Sequence, residues 1–105
     1  AIAGGTLSAP GELGTLSLGP AWPSPARGTV TLSLRLPRES RVSARVCDVS
    51  GRTLRVIADA RLGAGEHLLT WDGGDALGAP APAGVYFVRV EGGDFRATRR
   101  CVRLR

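Results

Sequence analysis

The residue types that could perform acid–base, nucleophilic or metal chemistry are few and scattered along the chain. The single histidine, His67, has Glu66 beside it, whereas a zinc site needs three or four Cys, His or carboxylate ligands. No serine lies in the Gly-x-Ser-x-Gly turn that presents the nucleophile of α/β-hydrolases. We therefore predict no catalytic residue, no metal site and no cofactor. We interpret His67 as an exposed residue where a strand begins.

Carboxylates and glycines are combined in the segment Asp72-Gly73-Gly74-Asp75. Carboxylate oxygens on flexible glycine loops are ligands that Ca²⁺ accepts, but this segment lacks the further acidic ligands and the closing Glu of a complete calcium loop. Aspartates in turns commonly accept hydrogen bonds from the backbone two residues further on. We predict that both aspartates stabilise a turn, with calcium binding as the alternative.

The two cysteines, Cys47 and Cys101, are 54 positions apart. In an exported protein they would be expected to pair, and a disulfide closing so long a loop contributes about 4 kcal/mol. Alternation, however, places Cys47 out of phase with the apolar Val46, and Cys101 out of phase with Val102 and Leu104. Both thiols are then predicted to point outward from different sheets. Free thiols are the favoured prediction, and a disulfide is the alternative.

Seven short stretches alternate apolar and polar residues with the period of two that is typical of half-buried strands. They lie at 16–18, 30–36, 42–47, 54–58, 67–71, 85–91 and 95–104. Turn residues separate them every ~8–12 positions, the spacing of a β-sandwich. No helical periodicity occurs. We predict an all-β antiparallel sandwich of about seven strands over residues 14–105, preceded by an extended arm or linker over residues 1–13.

The chain carries a net charge of +5, and all 14 of its basic residues are arginine. Arg35, Arg45, Arg89 and Arg103 alternate with apolar residues inside predicted strands, so we expect them to face solvent. A docking surface for an acidic partner is the alternative. Nucleic acid is not predicted as a partner, because only five aromatic residues are present and none is interleaved with arginines for base stacking. No apolar stretch approaches the ~18–20 residues needed to span a bilayer.

Several residues outside the expected core are predicted to contact partner proteins. They are Ile2, Leu7 and Leu13 in the arm, Trp22 between two prolines, and Arg99, Arg100 and Arg103 in the last strand. Three prolines between positions 20 and 25 predict an extended crossing there rather than a regular strand. Trp22 on this crossing covers an open sheet edge or anchors a partner.

Six short motifs, in order, resemble those of one family over residues 15–105. They are Pro25-Ala26-Arg27-Gly28, Leu34-Arg35-Leu36-Pro37, Val46-Cys47-Asp48-Val49-Ser50-Gly51-Arg52, Ala64-Gly65-Glu66-His67, Trp71-Asp72-Gly73 and Pro82-Ala83-Gly84-Val85-Tyr86-Phe87. The chain resembles the immunoglobulin-like domain of flagellar hook-capping proteins. It also resembles the related C-terminal sorting domains of type IX secretion cargo, whose basic end is similar to residues 98–105. The fold implied is an immunoglobulin or fibronectin type III-like sandwich.

The resemblance implies an exported, envelope-associated bacterial protein without enzymatic activity, cofactor or small-molecule substrate. Its expected partners are other protein subunits of a larger assembly, which it joins as an accessory subunit, and docking on a membrane complex is one form of this. The alternative is a C-terminal secretion-sorting domain, which the shortness of the preceding arm disfavours. A third class, a carbohydrate- or calcium-binding accessory module, needs an exposed row of aromatic residues that this chain does not offer.

Overall fold

Seven strands form two antiparallel sheets in the computed structural model, which describes residues 16–93 and 95–104. The strands are β1 (Ser17–Leu18), β2 (Val30–Leu36), β3 (Ser40–Cys47), β4 (Thr53–Leu62), β5 (Gly65–Trp71), β6 (Gly84–Gly92) and β7 (Phe95–Arg103). One sheet has the order β1-β2-β5 and the other β4-β3-β6-β7. The predicted all-β sandwich is confirmed. Ile2, Leu7 and Leu13, and the boundary at residues 13–14, lie outside the described residues, so those expectations stay predictions.

The alternating apolar residues of the strands line the interior between the two sheets. On β2, all of Val30, Leu32, Leu34 and Leu36 are buried. They face the inward side chains of β3 and β6, namely Val42, Ala44, Val46, Tyr86, Val88 and Val90. Each fully buried aliphatic side chain contributes about 1.5–3 kcal/mol relative to an exposed one, so this alternation is what selects the two inner faces.

The proline-rich segment crosses from one sheet to the other, as expected from its composition. Near its start, Trp22 exchanges two backbone hydrogen bonds with Thr31 of β2, at 2.9 and 2.8 Å. Near its end, Ala26 pairs in parallel with the end of β7, donating to the Val102 carbonyl and accepting from the Leu104 amide. The crossing therefore covers the open edge of β7 at its C-terminal end.

The last strand has the opposite phase from the one predicted. Val102 is half-buried and Leu104 is exposed, whereas Cys101 and Arg103 point inward and are buried. The reason is the pairing with β6, which places Cys101 opposite the inward Tyr86. Residues two apart share a face, so Arg103 is inward as well. The register with β6 overrides the hydrophobicity of the strand's last residues.

Arg103 is consequently an internal group, and the prediction that it faces solvent and contacts a partner is wrong. Only 7% of its surface is exposed. Its Nη1 donates to the Gly28 carbonyl at 2.9 Å and its Nη2 to the Arg27 carbonyl at 3.3 Å. The guanidinium carbon lies 5.3 Å from the centre of the Trp71 ring. Carbonyl oxygens and an aromatic face thus stabilise the buried cation.

Trp71 and Tyr86 pack edge to face beside this guanidinium, with ring centres 5.3 Å apart. Each ring also donates a hydrogen bond to the loop that connects β5 and β6. The Trp71 Nε1 donates to the Gly74 carbonyl at 2.8 Å, and the Tyr86 hydroxyl donates to the Pro82 carbonyl at 2.7 Å. The two aromatic residues therefore hold both ends of the loop as well as the core.

Inside this loop the two aspartates make the turn bonds expected of them. Asp72 Oδ1 accepts from the Gly74 amide at 2.8 Å. Asp75 Oδ1 accepts from the amides of Leu77 and Ala79, both at 2.9 Å. These carboxylates replace backbone acceptors in a stretch that has no regular pairing. The prediction of structural turns is confirmed.

The cysteines are both free and both buried. They belong to one sheet, where Cys47 lies opposite Phe87 and Cys101 opposite Tyr86 on the intervening strand β6. Tyr86 and Phe87 are consecutive, so the two thiols lie on opposite faces of that sheet. Two strand spacings, about 10 Å, separate strands β3 and β7, whereas a disulfide needs Cα atoms within about 7 Å. The expectations of thiols on different sheets and of an outward Cys101 are wrong, and so is the alternative of a disulfide. Cys47 has the expected phase, opposite to that of Val46, although it is buried.

Arg99 closes the side of the sandwich between the edge strands β1 and β7. Its Nη2 and Nε donate to the Leu18 carbonyl on the other sheet, at 2.7 and 3.2 Å. Its Nη1 donates to the carbonyl of Thr98 at 3.1 Å. The side chain therefore joins the two sheets, and it occupies a carbonyl that an added strand would need.

We expect Gly73→Ala to destabilise the protein more than Gly78→Ala does. Both glycines have positive φ, 90° and 88°, so alanine costs the same backbone strain, about 1–2 kcal/mol. At Gly73 a Cβ would also lie 2.5 Å from the Arg103 guanidinium carbon, whereas at Gly78 it would meet nothing. Overpacking of this kind adds about 1–3 kcal/mol. Urea unfolding of both variants measures the difference, and equal losses would contradict the burial of Arg103.

Arg99→Met and Arg100→Met form a second matched pair. Arg99→Met removes the bonds between the sheets and should lower the free energy of unfolding by about 1.5–3 kcal/mol, the contribution of hydrogen bonds from a charged group. Arg100 is exposed on the next position of the same strand, so its replacement should stay within about 0.5 kcal/mol. Thermal unfolding of both variants tests this. A larger loss for Arg100→Met would show that Arg99 does not join the sheets.

Neither thiol should react rapidly in the folded protein. Burial raises the pKa of the Cys101 thiol, which reduces the reactive thiolate fraction. Both thiols should react with Ellman's reagent on addition of denaturant, and the melting temperature should be the same with and without reductant. Rapid labelling of the native protein, or a lower melting temperature in reductant, would contradict this arrangement.

Candidate docking surface

The residues predicted to contact partners are distributed over different parts of the surface. Trp22 projects from the crossing segment with 72% of its surface exposed, and Arg100 is exposed on β7. Arg99 is half-buried between the sheets and Arg103 is internal. The structure therefore does not bring these residues into one site. Whether Trp22 or Arg100 contacts a partner stays a prediction.

The outer face of the three-stranded sheet is mostly small and polar. The register places Trp22, Thr31 and Thr70 in one row across the sheet. In the neighbouring row Ser33 lies opposite Leu68, which is 71% exposed. Two exposed apolar side chains, Trp22 and Leu68, thus lie beside serine and threonine side chains on this face. This face offers few charged groups, so its recognition by a partner would depend on shape complementarity.

The outer face of the four-stranded sheet is strongly basic. Cross-strand pairing and alternation place six arginines on it: Arg41 and Arg45 of β3, Arg61 of β4, Arg89 of β6, and Arg96 and Arg100 of β7. We call this set the basic face. Two carboxylates, Asp59 and Glu91, lie among them. The sequence indicated outward positions for Arg45 and Arg89 by alternation, and it placed Arg100 outside the core. The register that brings the other three arginines beside them is not encoded in any one strand.

Ion pairs neutralise only one side of the basic face. Arg41 pairs with Asp59 at 2.9 Å, and Arg61 with Glu39 at 3.6 Å, a residue of the adjoining turn. Arg45 lies 3.9 Å from Glu91, at the outer limit of such a pair. No ion pair joins Arg89, Arg96 or Arg100 to another residue in the described ranges. On the β6–β7 side, three arginines therefore share a single described carboxylate, Glu91, which lies directly opposite Arg96.

The groups that could perform chemistry have structural partners. The Nε2 of His67 lies 2.7 Å from the Gly63 carbonyl, across the turn that precedes its strand, and the side chain is half-buried rather than exposed. Within residues 16–93 and 95–104, no three His, Cys, Asp or Glu side chains are grouped so that they could hold a metal ion. Those same residues include no helix long and apolar enough to cross a membrane.

In the part of the chain that the structure describes, three ionisable groups have a pKa displaced from its ordinary value, each for a local structural reason. The hydrogen bond from the Ser50 hydroxyl lowers the pKa of Asp48 in its turn. Burial raises the pKa of Tyr86 and of Cys101 in the core. None of the three belongs to the basic face.

Solved structures of larger bacterial proteins contain the same fold. PorU of Porphyromonas gingivalis superimposes with a TM-score of 0.67 and 14% identity, over 86% of this chain and 9% of that one. PorZ, a surface component of the type IX secretion system of the same organism, gives 0.56 and 21% identity, over 91% of this chain and 12% of PorZ. At these identities the likeness shows the fold alone. The chain spans about a tenth of either protein.

A further solved structure is closer in length to this chain. FlgD of Xanthomonas campestris, whose structure addresses hook capping in flagellar assembly, has a TM-score of 0.58 and 25% identity, over 87% of this chain and 69% of that one. No curated protein matches the sequence. The family model of the FlgD Ig-like domain matches residues 19–94, which include five of the seven strands, β2 to β6, and the whole crossing segment. The chain therefore belongs to the family of FlgD Ig-like domains.

Proposed function

We propose that the domain is a non-enzymatic docking module, an accessory subunit of a larger exported or envelope-associated bacterial assembly. The observation that carries the proposal is the family match over residues 19–94. FlgD, which shares this domain, is linked to hook capping in flagellar assembly, and PorZ is a component of a secretion system. One is linked to flagellar assembly and the other to a secretion system, and this chain is proposed to work in a multi-subunit assembly of that kind.

The packed interior and the covered β7 edge of the sandwich support a docking function. Its interior is filled by aliphatic and aromatic side chains, so the sheets are a rigid support for whatever their outer faces contact. The open edge of β7 is partly covered by Ala26 and by the Arg99 side chain, which disfavours partner binding by strand addition there. The outer faces are therefore the surfaces proposed to contact partners.

The alternative function is a C-terminal secretion-sorting domain. The observation that favours it is the presence of this fold in PorU and PorZ, proteins of which it forms a small part. A sorting domain is recognised and then removed or anchored, whereas a docking module remains with its assembly. The two functions thus predict different binding partners for the mature protein.

Gentle isolation of the polypeptide that carries this domain, followed by native mass spectrometry, tests the proposal. A docking module should co-purify with other subunits at a fixed stoichiometry that persists through size-exclusion chromatography. A polypeptide found only as the tail of a larger secreted protein would favour sorting, and a monomer under all conditions would contradict docking.

A further inference from the structure

The arrangement of the arginines on the β6–β7 side of the basic face lowers the stability of the folded domain. Arg89 of β6 lies directly opposite Arg45 of β3. Like charges in such cross-strand positions destabilise a sheet. A solvated polar face would satisfy alternation with serine or threonine at no such cost. The repulsion therefore points to an interaction outside the domain that neutralises it.

The charge is concentrated around Arg89. Arg45 is its direct neighbour on β3, and Thr98 is its direct neighbour on β7. Arg96 and Arg100, two positions to either side of Thr98, are its diagonal neighbours, at a spacing of about 7–8 Å that long side chains can bridge. Four guanidinium groups can thus converge on one area of the sheet. The carboxylate beside it, Glu91, is the weak partner of Arg45 at 3.9 Å.

Apolar side chains adjoin this cluster along the same two strands. Phe87 lies opposite Arg100, and Val85 opposite Val102 in the next row. All three apolar residues are half-buried, so they add contact area beside the charges. Arginines next to an aromatic residue are the composition enriched at the centres of protein–protein interfaces.

We propose that the β6–β7 side of the basic face binds an acidic segment of a partner protein, with Arg89 and Arg100 as its principal contacts. The proposal rests on the proposed docking function and names its surface and its partner chemistry. Guanidinium groups pair with carboxylates in a bidentate geometry, and Phe87 with the valines accepts the apolar residues of the same segment. The face has one aromatic ring, Phe87, whereas single-stranded nucleic acids bind by stacking several bases on aromatic side chains, so a nucleic acid is the poorer match.

The first test compares two doubly substituted variants of equal net charge. Arg89→Gln with Arg100→Gln removes the proposed contacts, whereas Arg35→Gln with Arg38→Gln removes two arginines outside the basic face. The probe is a synthetic dodecapeptide of alternating glutamate and valine, titrated by isothermal calorimetry. We expect the first variant to bind at least about tenfold more weakly than the second, which should resemble the unchanged protein. Affinity should also fall steeply between about 50 and 500 mM salt.

Equal weakening in both variants would overturn the proposal, because it would show attraction to net charge alone. Tighter binding of a single-stranded DNA dodecamer or of phosphatidylglycerol vesicles, lost in the same Arg89 and Arg100 variant, would also overturn it in favour of another polyanion. Removal of the repulsion around Arg89 should leave the melting temperature equal or higher. A binding loss is therefore not explained by unfolding.

The second test places a photo-crosslinking amino acid at Thr98 or at Thr70 in the native polypeptide. Both threonines are exposed and central, on the outer faces of the four-stranded and three-stranded sheets respectively. Crosslinks from Thr98 to an Asp/Glu-rich stretch at a fixed site of one partner, lost on substitution of Arg89 and Arg100, would support the proposal. Crosslinks from Thr70 alone would overturn this surface but retain the docking function. Crosslinks from neither position would contradict both.

Discussion

The pairing of β6 with β7 is the constraint on which the rest of the structure depends. It places Tyr86 opposite Cys101 and so turns the whole odd-numbered side of β7 inward, including two arginines. One of them, Arg103, is accommodated because Trp71 offers a ring face and because the backbone at 27–28 offers carbonyl oxygens. Gly73 leaves room for it by lacking a side chain. A buried cation is costly unless its donors are occupied. The Nη1 and Nη2 of Arg103 have carbonyl partners, whereas its buried Nε has no hydrogen-bond partner among the described residues.

The second inward arginine, Arg99, covers the open side between the two sheets. β1 has only two residues and cannot by itself shield the seam between the sheets. Arg99 extends across that seam to the Leu18 carbonyl, and the crossing segment pairs with the end of β7. Edge protection is thereby achieved with side-chain and isolated backbone contacts rather than with another full strand. The sheets remain discrete, and their outer faces remain accessible.

Those outer faces differ in chemistry, which is the basis of the proposed function. One is a small, polar surface with two exposed apolar side chains, Trp22 and Leu68. The other carries six arginines against two carboxylates. Stability alone does not require like charges to face each other across neighbouring strands. A scaffold with one strongly charged face suits a module that recognises a partner by electrostatic complementarity, and the membership in the FlgD Ig-like domain family fits a structural module of that kind.

The sequence by itself determined the class of fold, the strand positions and the turns. Period-two alternation in strands such as Val30–Leu36 leaves a single apolar face to bury. The side chains of Asp72 and Asp75 accept hydrogen bonds from nearby backbone amides and so stabilise turns. The strands and these turns therefore follow from local residues. The resemblance in its motifs also identified the family. Only the tertiary structure decided which face of β7 is buried, where Arg103 and the two thiols lie, and which arginines share a surface. The residues of β7 are compatible with either phase, so its pairing with the preceding strand β6 made the choice. Which arginines share a surface also depends on the pairing of β3 with β6, two strands that are far apart in the chain.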